Sequence, residues 1–137
     1  MFGYLDNSLA INWLENATAV SSTVTATGVD IINAVGPVAI VTNIPSGGSG
    51  TLALQPVMST DDATWVNVPA DAILDPTTGL QTTLANVAGA TGKAQNVYLK
   101  RDELMRYVSI TVTPVVAGSQ TVNVVEAHIR AYTSEAV

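Results

Sequence analysis

Apolar and polar residues alternate one for one along much of the chain, the period of a half-buried strand and not the 3.6-residue period of a helix. The clearest run is "RYVSITVTPVV" at residues 106–116. There Val108, Ile110 and Val112 face one way, and Tyr107, Ser109, Thr111 and Thr113 the other. "TLALQPVM" (51–58) repeats the pattern, with Leu52, Leu54, Pro56 and Met58 opposed to Ala53, Gln55 and Val57. The last long run, "TVNVVEAHIRAY", changes phase at Val124–Val125, where a β-bulge is expected. With Gly, Pro, Asn and Asp as punctuation, the pattern predicts strands near 17–28, 29–34, 37–44, 50–58, 64–69, 80–85, 94–99, 105–116 and 119–133. "LKRDELM" (99–105) is the one stretch expected to make a helical turn, with Asp102 and Glu103 near its start. "IPSGGSG" (44–50), "DPTTG" (75–79) and "ANVAGATGK" (85–93) read as loops, the first and third glycine-rich and expected to be flexible. Many short strands and almost no helix predict an all-β fold: one domain over 1–137, an antiparallel two-sheet sandwich of jelly-roll or related Greek-key topology.

Composition strengthens the strand reading. The chain has 19 valines and 17 threonines, β-branched residues that pack well on a pleated surface. Only 12% of residues are charged, about half of the ~25% usual in globular chains. So little charge implies that apolar surface is covered by other subunits or by a larger surface, and a dimer or trimer is expected. Cysteine is absent, which excludes disulfides and thiolate metal sites.

The formal charge is −6, and Lys93, Lys100, Arg101, Arg106 and Arg130 are the whole basic complement. Five dispersed cations make no phosphate-binding stripe, so no nucleic-acid partner is expected. The opening "MFGYLDNSLAINWLEN" has neither a basic leader nor a continuous apolar core, so it does not read as a secretory signal. No run approaches the ~18 apolar residues of a membrane span, so no membrane partner is expected and the chain is expected to be made in a host cytoplasm. Residues 1–16 instead read as an arm whose Phe2, Tyr4, Leu5 and Trp13 contact a neighbouring subunit.

Candidate chemistry centres on "VMSTDDATWVNVPADAI" (57–73), where Asp61 and Asp62 stand beside Trp65. Strand character breaks off before Ser59 and resumes after Ala63, so the two aspartates are expected to make a hairpin corner, a place that suits carboxylates able to accept local N–H bonds. A calcium site would need six to eight oxygens, and no further acid follows until Asp71. The segment resembles the Asp-box hairpin, S-x-D-x-G-x-T-W, but is one residue shorter, has Ala63 in place of glycine and occurs once. Trp13 and Trp65 raise a sugar-stacking alternative, against the commoner use of a large aromatic in a core or interface. His128, the only histidine, alternates with Glu126 and Arg130 as a strand-surface ladder. No Walker loop, G-x-S-x-G or H-E-x-x-H occurs. No catalytic, metal or cofactor residues are therefore expected, and no enzyme.

Taken in order, "LALQPVMSTDDATWVNVPADAI", "GLQTTL" and "YLKRDELMRYVSITVTPVVAGSQTVNVV" resemble a family of small virion proteins of tailed bacteriophages. Asp61, Asp62, Trp65, Leu104, Arg106, Tyr107 and Val108 stand at the matching positions, while Ser109 replaces the family's second arginine. The resemblance covers about residues 50–130. It implies a β-sandwich that decorates or cements the outer capsid shell, with the major capsid protein and copies of itself as partners, and no catalytic residues. A tail, neck or fibre-base component of the same virion, and a carbohydrate-binding sandwich, are the alternatives.

Overall fold

The computed structural model describes residues 22–32 and 36–119 with their side chains, and 8–12, 17–18, 34–35, 121–122 and 124–131 through their backbone. The strands follow in chain order: β1 Ser8–Asn12, β2 Ala17–Thr18, β3 Val24–Thr25, β4 Val29–Asp30, β5 Ala34–Ile44, β6 Thr51–Ser59, β7 Val66–Asn67, β8 Ile73–Leu74, β9 Val87–Ala88, β10 Lys93–Leu99, β11 Tyr107–Val116, β12 Thr121–Val122 and β13 Val124–Ala131. Single 3-10 turns cover Ala70–Ala72 and Arg101–Glu103, and no α-helix occurs among the described residues.

Two antiparallel sheets carry the fold. The first has the order β1-β13-β5-β10-β8; the second has β3-β11-β6-β7, with β4 also on β11 and β9 also on β6. β2 and β12 form a separate pair. The run β5–β6 lies antiparallel to the run β11–β13, pairing once in each sheet: β5 with β13, and β6 with β11.

One core lies between the sheets, and the alternation of the sequence builds it. Val38, Ile40 and Ile44 of β5, Val97 and Leu99 of β10 and Ile73 of β8 come from the first sheet. Leu52, Leu54 and Met58 of β6 meet them from the second, with Val108, Ile110 and Val112 of β11. The last three are fully buried, and burying each such side chain contributes about 1.5–3 kcal/mol relative to leaving it in water. The antiparallel sandwich read from the sequence is the observed architecture.

Several elements depart from expectation. The stretch 17–28 is not one strand; within it lie the short β2 and β3. The segment 80–85 makes only a single bridge, Leu74 to Gln81. It runs beside β10, where the Gln95 amide donates to Ala85 O at 2.9 Å and accepts from Ala85 N–H at 2.8 Å, so a side chain does the work of a ladder. Pairing with β5 is regular through Val124 and Val125, and the irregularity lies instead between Ile129 and Ala131. The phase change at Val124 reflects the switch from β12, which pairs with β2, to β13, which pairs with β5. Ser8–Asn12, inside the segment expected to be an arm, is placed as β1 along β13 of its own chain.

Candidate functional site at the ends of the sandwich

Where β6 ends and β11 begins, Ser59 stands opposite Tyr107, and the chain turns through Asp61 and Asp62. Asp61 Oδ1 accepts from Ser59 Oγ at 2.8 Å, Ala63 N–H at 3.0 Å and Thr64 N–H at 2.8 Å. The Thr64 N–H contributes most, followed by the Ser59 hydroxyl and the Ala63 N–H, and together they hold the Asp61 carboxyl down at about 2. Asp62 takes the left-handed conformation, φ 60°, which aspartate tolerates better than most residues. These are the properties of a corner, as the sequence suggested.

Trp65 is half-buried, and its ring packs over Gly28. A Cβ at residue 28 would overlap Asp62 Oδ1 and stand 2.6 Å from Trp65 Cη2, so the corner closes only over glycine. From there the chain enters β4, whose Asp30 and Val29 pair with Tyr107 and Val108. Asp30 Oδ2 accepts from Arg106 Nη2 at 2.8 Å and Nε at 3.1 Å, and Oδ1 accepts from Ile32 N–H at 3.0 Å. The Arg106 bond, then the Ile32 N–H, lower the Asp30 carboxyl, and Asp30 in turn raises Arg106. Arg106 also lies 5.3 Å over the Tyr107 ring. Thus "STDDATW" and "RYV", far apart in sequence, meet across one short segment, Gly28–Asp30.

Beside this corner a shallow groove of about 470 Å³ opens on the outward side of the first sheet, lined by Gly36, Pro37, Leu74 and Tyr98 and bordered by Lys100, Arg101 and Asp102. Lys100 pairs with Glu103 at 3.5 Å. Arg101 Nη2 donates to Ile31 O at 3.0 Å, while its buried Nε–H has no acceptor among the described residues. Sequence analysis missed this groove. Its one legible signal was Tyr98, an aromatic out of phase with the inward Val97 and Leu99.

The opposite end is built differently. Loops 45–50, 88–92 and 117–119 meet there: Gly48 N–H donates to Gly89 O, Gly89 N–H to Gly50 O (both 2.9 Å), and Ser49 N–H to Ser119 O at 2.8 Å. At Gly50, φ +84°, a Cβ would stand 2.6 Å from Val116 O and 2.9 Å from Gly118 Cα. Glycine therefore serves here as a means of backbone-to-backbone contact, and loops expected to be flexible are tied to one another. Lys93 is the only charged residue of this end among those described, and Val115 and Val116 are exposed at 55% and 56%.

Phe2, Tyr4, Leu5 and Trp13 lie outside the described residues. Register sets Glu126 opposite Val41 and His128 opposite Ala39, and Arg130 stands opposite Ser8 of β1. Among the described residues no three His, Asp or Glu side chains gather where they could hold a metal ion. No family model, curated protein or solved structure matches the chain.

Proposed function

We propose that this chain is a structural protein of a tailed-bacteriophage virion, one that decorates and cements the outer capsid shell by bridging major capsid subunits. The observation that carries the reading is the convergence of the two motif segments on which the resemblance rests. "STDDATW" supplies the corner, "RYV" the neighbouring strand, and Gly28–Asp30 locks both. Motifs that build one substructure are better grounds for kinship than scattered matches, because their order and spacing have a shared physical cause. Two further features support the reading. Cementing is multivalent, so modest contacts repeated around a shell accumulate without a deep binding site. A sandwich with few charges has little to desolvate when its surfaces meet neighbours.

Trp65 gives the sugar-binding alternative little support, since its ring packs over Gly28 and does not stand free as a platform. Quantitative mass spectrometry of purified virions, with the major capsid protein as reference, tests the proposal. A ratio near one per capsid subunit, or another simple icosahedral fraction, is expected. A handful of copies would move the chain to the tail, neck or fibre base, and absence from the particle would overturn the virion reading.

A further inference from the structure

We propose that the segment Met1–Asn7 lies across the edge of the first sheet and seats its apolar residues in the Pro37–Leu74–Tyr98 groove of the same chain. Residues 1–7 are outside the described structure; what bears on them is their sequence and the point where they join β1. Ser8 pairs with Arg130 of β13, and Ile129 and Leu99 both pair with Val38 of β5. Ser8, Pro37 and Lys100 therefore stand at nearly one level of the sheet. From β1 to β10 is three strand spacings, roughly 14 Å at ~4.8 Å each. A seven-residue segment can extend to about 23 Å.

The chemistry of the segment matches the groove. "MFGYLDN" offers Phe2, Tyr4 and Leu5 to a floor of Pro37, Leu74 and Tyr98. Asp6 offers a carboxylate to the side bordered by Lys100 and Arg101, where the Arg101 Nε–H lacks an acceptor. Attachment through β1 makes docking within one chain a high-effective-concentration event that a segment from another copy must outcompete. The inference stands apart from the virion reading and holds for any function of the sandwich.

Because the natural chain has no cysteine, an introduced pair reports alone. Gly3→Cys combined with Asp102→Cys is compared under mild oxidation with Gly3→Cys combined with Thr91→Cys, which lies at the glycine-rich end. The first pair is expected to form an intramolecular disulfide faster, read as a shifted monomer on a non-reducing gel. Equal rates for the two pairs, or a product that is a dimer, would overturn the proposal. A second readout uses the single variant Asp102→Cys in the full chain. Its thiol is expected to react faster with a bulky maleimide once Phe2, Tyr4 and Leu5 are all changed to serine, with circular dichroism unchanged. An unaltered rate counts against docking.

Discussion

At one end of the sandwich side chains close the fold: Asp61 gathers three donors, Asp30 grips Arg106 and Trp65 covers Gly28. At the other, three loops are tied by main-chain bonds, and Gly50 approaches Val116 O and Gly118 directly. The first kind of closure depends on protonation and salt and has side chains that can shift. The second depends on neither and has nothing that can move without the backbone moving. A chain with so few charges has concentrated most of those described at one end.

Matched substitutions test this contrast. Gly50→Ala sets a Cβ against backbone and forces a left-handed residue to be non-glycine, so a loss of about 3 kcal/mol is expected in denaturant unfolding. Trp65→Ala follows at about 2 kcal/mol, below the 3–5 of a fully buried aromatic because the ring is only half-buried. Gly28→Ala is expected to cost about 1 kcal/mol, since the atoms it meets are side-chain ends in an exposed corner. A cost at residue 28 equal to that at residue 50 would erase the distinction between the ends.

Smaller effects come from charge. The Asp61 carboxyl sits at about 2 in the folded chain, against ~3.9 for an unperturbed aspartate. A depressed folded value means that its contribution is complete above about pH 4 and is lost as the pH falls towards 2. Asp61→Asn is expected to flatten that part of the acid-unfolding curve, while Gly50→Ala leaves its shape unchanged. Smallest of all is Arg106→Gln, which breaks an exposed pair; the difference from the natural chain should shrink further in high salt.

What was legible had a local cause. Alternation at Leu52–Met58 and Val108–Val112 gave both central strands of the second sheet and their core faces, because a period of two leaves no freedom in which side is buried. The corner at Asp61 was readable because aspartate fixes turns through its own neighbours. The strand expected at 80–85 failed because its partner was a side chain, Gln95, and no local pattern encodes that. The groove at Tyr98 was hidden for a similar reason: Gly36, Leu74 and Arg101 come from three separate elements.

By itself, then, the sequence determined that this protein is β-structured, which strand faces are buried, where the Asp61 corner falls, and that charge is scarce. Each follows from interactions within a few residues or from composition. Tertiary structure decided which strands pair across long separations, that Gly28 must be bare to admit Trp65, and that glycine-rich loops lock together. Those outcomes depend on atoms brought close only after the two sheets have packed.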